Sequence, residues 1–165
     1  MRTRLLILST LTVVVASMST ASAATINGTS GPDTLNGTAG NDTIKGKGGA
    51  DKLVGRPGAD SLFGNAGADK LYGGKGADYL YGGPGDDLLG GLNDGQTTDR
   101  IYGGSGADVV YGQFADRIWA GPGDDFIEIY FANPAMQIHC GDGFDQVFFH
   151  HPHPGVGLHD CEQVS

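Results

Sequence analysis

Aspartate recurs at every ninth position through the first half of the chain, at Asp33, Asp42, Asp51, Asp60, Asp69, Asp78 and Asp87. Two residues after each comes a large aliphatic: Leu35, Ile44, Leu53, Leu62, Leu71, Leu80 and Leu89. So short a period does not describe an ordinary mixed domain; it describes a stack of small, nearly identical units. Acids placed at one phase of successive units repel one another unless something positive sits between them. The spacing therefore calls for a cation before it specifies a fold.

Each unit divides into a glycine-rich half of six residues and an apolar half of three, as in Gly73-Gly74-Lys75-Gly76-Ala77-Asp78-Tyr79-Leu80-Tyr81. Glycine stands five and two residues before the aspartate in unit after unit, as Gly46 and Gly49 do before Asp51 and Gly55 and Gly58 before Asp60. Glycine is needed where the backbone takes positive φ or comes too close to a neighbour for a Cβ, so this half reads as a tight, carbonyl-lined turn. The other half puts one aliphatic between two outward residues, a minimal strand of period two. Glycine at this density excludes helix.

A three-residue strand is not stable alone, and a turn of carbonyls and one carboxylate is not stable buried without partners. Both conditions are met if two units form one coil, so that each strand pairs with the strand two repeats on. The expected fold is all-β, a right-handed parallel β-roll with two nonapeptides per coil, and it sets Asp33 over Asp51, Asp42 over Asp60, Asp51 over Asp69, Asp60 over Asp78 and Asp69 over Asp87. Two carboxylates among backbone carbonyls form an all-oxygen cage. Calcium, with 6–8 flexible oxygen ligands, suits it better than zinc, which favours nitrogen and sulfur, or magnesium, which keeps its water.

These units resemble the repeats-in-toxin (RTX) nonapeptide of the haemolysin-type calcium-binding family, Gly-Gly-x-Gly-x-Asp-x-aliphatic-x, from about Asn27 to Ile127. The resemblance implies that several Ca²⁺ bind in the turns and that the roll orders when calcium arrives. It carries the metal role to Asp33, Asp42, Asp51, Asp60, Asp69, Asp78 and Asp87, and onward to Asp99, Asp108, Asp116 and Asp125.

The departures are specific. The second glycine is replaced by Thr29, Thr38, Lys47, Arg56 or Asn65 in the early units, whose turns are then strained or simply different. The unit Gly90 to Ile101 is lengthened around Leu92-Asn93-Asp94, which reads as a bulged loop. The unit Tyr111 to Ile118 is one residue short and has Phe114 in place of the second glycine, which weakens the case for Asp116. Cys140-Gly141-Asp142-Gly143-Phe144-Asp145-Gln146-Val147 reads as a last degenerate repeat with Val147 in the aliphatic phase.

Residues 1–23 read as a secretory signal: Arg2 and Arg4, an apolar run from Leu5 to Ala16, then Ala21-Ser22-Ala23. A membrane anchor is the alternative, but the run is interrupted by Ser9, Thr10 and Thr12 and is shorter than the roughly 20 residues of a span. The expected division is a signal over 1–23, a calcium-binding roll over 24–130 and a C-terminal cap over 131–165, with the mature protein secreted and extracellular. The whole chain has a formal charge of −9, and losing Arg2 and Arg4 makes the mature chain more acidic still. Nucleic acid and anionic lipid are therefore not expected as partners, nor is stable membrane insertion. In an exported chain Cys140 and Cys161 favour one disulfide closing the cap and covering an open sheet edge, two thiols or a metal pair being the alternatives.

Large residues often follow the aliphatic: Phe63, Tyr72, Tyr81, Tyr102, Tyr111 and Trp119. Such an outward aromatic ladder could stack on sugar rings, making the chain an adhesion or polysaccharide-binding module on a cell surface; the commoner role of such residues is cross-strand stabilisation. His150, His151 and His153 sit among prolines and, like His139 and His159, complete no zinc pattern, so a solvated loop is expected. Asn27-Gly28-Thr29, Asn36-Gly37-Thr38 and Asn41-Asp42-Thr43 are glycosylation acceptors only formally, because the repeat consensus produces them. No Gly-x-Ser-x-Gly, phosphate-binding loop, Gly-x-Gly-x-x-Gly or His-Glu-x-x-His occurs, and the reading is non-enzymatic.

Overall fold

The computed structural model describes residues 12–14, 22–90, 97–152 and 155–164. Among them there is no helix, and hence none long and apolar enough to cross a membrane. The chain winds as a parallel β-solenoid. One sheet stacks, in spatial order, Thr12–Val14, Thr34–Asn36, Lys52–Pro57, Lys70–Lys75, Leu88–Gly90, Val109–Phe114, Phe126–Ala132, Gln146–Phe149 and Gln163–Val164. The facing sheet stacks Thr25–Asn27, Thr43–Gly48, Ser61–Ala66, Tyr79–Pro84, Arg100–Ser105, Arg117–Trp119, Gln137–His139 and Gly157–His159. Consecutive strands alternate between the sheets, so every strand pairs with the one a full coil away, as two nonapeptides per coil require. Thr12–Val14, inside the segment read as a signal, lies beside Thr34–Asn36.

Register follows the repeat: Leu35 pairs with Leu53, Leu53 with Leu71 and Leu71 with Leu89 in one sheet, and Ile44 with Leu62 and Leu62 with Leu80 in the other. These side chains are fully buried between the sheets. Each of these strands contributes one aliphatic to the layer, and each Leu or Ile so buried is worth about 1.5–3 kcal/mol. The core is thus thin but continuous. Leu92-Asn93-Asp94 lies outside the described residues, yet the register beyond it is intact, with Arg100 opposite Tyr79 and Ile101 opposite Leu80. The short unit does disturb pairing: a register shift falls between Gly112 and Phe114, and Phe114 takes φ 51°.

At the C-terminal end the core thickens. Ile129, Met136 and Phe149 join it, and the side chains of Ile118 and Ile129 press against Gly112 where earlier coils have glycine turns. The Cys140–Cys161 disulfide expected from the sequence is present and ties the last coils together, where both sheets continue through the segment expected as a cap.

Candidate metal centre

The turns at the two edges of the solenoid carry two files of buried aspartates. Along one edge, the backbone N–H of Asp33 donates to Oδ1 of Asp51 at 2.8 Å, Asp51 to Asp69 at 2.7 Å, Asp69 to Asp87, Asp87 to Asp108 and Asp108 to Asp125, each at 2.8 Å. The file continues from Asp125 to Asp145 at 2.9 Å and from Asp145 to Oε2 of Glu162 at 3.0 Å. Along the other edge Asp42 donates to Asp60, Asp60 to Asp78, Asp78 to Asp99 and Asp99 to Asp116, over 2.7–2.9 Å. All eleven aspartates expected from the sequence stand in these files and none is more than 4 % exposed.

Two members of the files, Asp145 and Glu162, escaped the sequence reading. Asp145 sits two residues before Val147 and Glu162 two before Val164, the same offset as every other aspartate, so the signal was present but unused. At the other edge the phase is occupied by apolar residues at both ends. Ala24, two before Ile26, donates its N–H to Asp42 Oδ1 at 2.6 Å, and Met136, two before Ile138, is fully buried beyond Asp116.

The second carboxylate oxygen differs along the files. At Asp33 it accepts the N–H and hydroxyl of Thr29, at Asp42 those of Thr38, and at Asp116 the N–H of Gln113 at 2.8 Å. In contrast, Oδ2 of Asp51, Asp60, Asp69, Asp87, Asp108, Asp125 and Asp145 is buried without a hydrogen-bond partner. The threonine turns are therefore a different device, satisfying Oδ2 from within the chain, although Oδ1 of Asp33, at the first rung, is buried without a partner. Lys47, Arg56 and Asn65 instead hold φ of 83°, 82° and 71°, the left-handed conformation that Gly74, Gly83 and Gly104 adopt in later turns.

Burial is the main reason the orphaned carboxyls resist ionisation. It pushes Asp60, Asp87 and Asp108 up to about 7 and Asp51 and Asp125 up to about 6, against 3.8 ordinarily. The N–H donated by the neighbouring aspartate counteracts this, and the charges of adjacent rungs add to it. Asp69 and Asp145 move the same way for the same leading cause. No lysine or arginine relieves them: the one ion pair among the described residues is His150–Glu128, at 2.6 Å on a sheet surface.

Beside five of the orphaned oxygens the turn leaves no room for a side chain, while Ala120 and Cys140 stand at the corresponding place before Asp125 and Asp145. A Cβ at Gly46 would collide with Oδ2 of Asp51, at Gly55 with that of Asp60, at Gly64 with that of Asp69, at Gly82 with that of Asp87 and at Gly103 with that of Asp108. The carbonyl oxygens of Gly64, Gly73, Gly82 and Gly103 crowd the same positions from the next coil. Among the described residues no three His, Cys, Asp or Glu side chains converge, so an ion held here takes many of its ligands from backbone carbonyls. The donor set is oxygen throughout and repeated along both edges, which fits Ca²⁺ and not a thiolate- or imidazole-seeking metal.

Fold and turns together define a cation-binding β-roll. The RTX calcium-binding nonapeptide repeat matches in four copies, over residues 27–62, 54–89, 92–114 and 112–128. The chain belongs to this family. No curated protein and no solved structure matches it.

The aromatic ladder takes a form that the sequence did not show. Phe63, Tyr79, Tyr102, Trp119, His139 and His159 run as one file over a sheet, with successive centroids 5.8, 5.2, 4.7, 5.5 and 4.4 Å apart. Tyr102, Trp119 and His139 are nearly coplanar in orientation, at 4° and 3°, and so turn their faces to one another. On the opposite sheet Tyr111 meets Tyr130, Tyr130 stacks on His150, and Phe131 stacks on His151. Four histidines are thus ring-stacked; His150 and His151 are exposed in a bend, as expected of a solvated loop, with His150 bonded to Glu128, and His153 lies outside the described residues. Tyr72 carries Lys52 over its ring, and Tyr81 is 39 % exposed.

Proposed function

We propose that this protein is exported, loses residues 1–23 and acts outside the cell as a non-enzymatic calcium-binding β-roll whose fold is completed by the ion. The aspartates from Asp51 to Asp125 would hold several Ca²⁺ between successive rungs, with carbonyls of the glycine turns as further ligands. Asp33, Asp42 and Asp116 would contribute less, because protein groups already satisfy their second oxygens. One observation carries the reading: a repeated, buried, partnerless carboxylate oxygen packed close to backbone carbonyls at the glycine turns. When bound, the ion supplies the positive charge that the files lack, and binding only to the folded state stabilises by RT ln(1 + [L]/Kd) at each site.

The test is far-UV circular dichroism and calorimetry of the ion-depleted protein titrated with Ca²⁺. A cooperative gain of β-structure with heat of binding is expected. A chain that shows no binding heat and no structural response refutes the reading. N-terminal sequencing of the exported product should begin at Ala24.

The second reading is adhesion to a glycan or cell surface. Tyr72 and Tyr81 support it better than the stacked file, whose rings spend their faces on one another and present edges outward.

A further inference from the structure

The net acidity of this chain is unevenly distributed. Between residues 24 and 85 the acids are Asp33, Asp42, Asp51, Asp60, Asp69 and Asp78, all buried in the files. The bases over the same stretch are Lys45, Lys47, Lys52, Arg56, Lys70 and Lys75, and all are exposed. Every outward charge of these coils is therefore positive. From residue 86 onward the balance reverses: thirteen acids face only Arg100 and Arg117.

Four of the six cations stand on two neighbouring strands of one sheet. Lys52 and Arg56 lie on strand Lys52–Pro57, and Lys70 and Lys75 on its neighbour Lys70–Lys75. Lys52 is the register partner of Lys70, while Arg56 and Lys75 stand one register step apart at the far end. Like charges set opposite each other on neighbouring strands destabilise a sheet. Among the described residues no carboxylate lies within ion-pair distance of any of the four. Tyr72 lies between the two ends, with the Lys52 ammonium 5.7 Å from its ring centroid.

We propose that this strip, Lys52, Arg56, Lys70 and Lys75 around Tyr72, binds an acidic polysaccharide. Its two cationic ends are roughly 13–17 Å apart along the strands at about 3.3 Å per residue. A strip of cations along two neighbouring strands suits a linear polymer with spaced charges. Duplex nucleic acid, with a charge every ~1.7 Å, would overrun the strip and meet the acidic second half of the solenoid. Val54 and Tyr72 alone offer too little apolar surface to anchor the face in a lipid bilayer. Calcium strengthens the site, because every ion bound in these coils adds two positive charges to a half whose formal balance is otherwise even. The identification of the partner rests on the extracellular, calcium-loaded reading above; the strip itself does not require it.

The experiment measures binding of the calcium-loaded protein to dextran sulfate, with neutral dextran as the control. Dextran sulfate should bind, neutral dextran should not, and affinity should fall steeply between about 50 and 200 mM salt as counterion release requires. The double variant Lys52→Glu/Lys70→Glu should weaken binding at least tenfold, while Lys45→Glu/Lys47→Glu, the same charge change on the other sheet, should stay within about twofold. Circular dichroism during calcium titration shows that both variants fold. Equal losses in the two variants, no binding, or binding to phosphatidylserine vesicles in place of the polymer overturns the proposal. Calorimetry separates the failures: calcium binding without polymer binding refutes the strip alone, and polymer binding without calcium binding refutes only the calcium reading.

Discussion

Removing calcium should make the fold depend on pH in the opposite sense to ordinary acid denaturation. Asp60, Asp87 and Asp108 are at most 2 % exposed and their carboxyls are pushed by burial from 3.8 up to about 7. A carboxyl whose folded value lies above its unfolded one binds its proton more tightly in the fold. Its contribution is complete below pH ~3.8 and is lost as pH rises from there through ~7. Three units correspond to about 4 kcal/mol for one isolated group. Protons shared between neighbouring rungs and water at the turn rims reduce this to roughly 2 kcal/mol apiece, or about 6 kcal/mol for the three. Small domains are stable by only about 5–15 kcal/mol, so the loss is comparable with the whole. The ion-depleted chain should therefore be β-rich near pH 5 and largely unfolded at pH 8, with calcium restoring the fold at pH 8. Circular dichroism of dialysed, chelator-free protein across this range is the assay. Equal β-content at pH 5 and pH 8, or a fold that weakens on acidification, refutes the reasoning.

Three further outcomes are expected. Asp60→Asn and Asp87→Asn should each raise the calcium concentration at the folding midpoint severalfold, while Asp160→Asn, outside both files, should leave it unchanged in the same titration. Gly64→Ala places a methyl against Asp69 Oδ2 and the Gly82 carbonyl, and calorimetry should show fewer bound ions together with a lower Tm. Arg56→Gly should stabilise the calcium-loaded protein by about 1 kcal/mol in denaturant unfolding, because φ 82° costs arginine what glycine does not incur.

Much of the candidate site was legible because a period of nine leaves few ways to bury one aliphatic per unit. The same phase that put Leu53 under Leu71 put Asp51 under Asp69, and both pairings are present. Asp116 shows where pattern alone falls short. Its short unit argued against it, yet the carboxylate joins the file through Oδ1 while Gln113 takes Oδ2. Whether a missing residue breaks a file or is absorbed by a bulge depends on the coils above and below, which the unit itself does not contain. The threonine turns are similar: Thr29 and Thr38 read only as missing glycines, and their hydroxyls reach the carboxylate only once the turn has closed.

By itself the sequence determined the parallel roll, two units per coil, the aliphatic layer, the two rows of aspartates and the oxygen-seeking cation they imply. Each follows from local geometry repeated in phase. The tertiary structure alone decided which carboxylate oxygens are satisfied: Oδ1 depends on an N–H from a neighbouring coil 17 to 21 residues away, and Oδ2 on whether the closed turn brings Thr29, Thr38 or Gln113 to it. It also turned the aromatic ladder face-on to itself and set the lysines of two coils side by side. Both are relations across strands, where distance in space is about 4.8 Å and distance along the chain is a full turn of the solenoid.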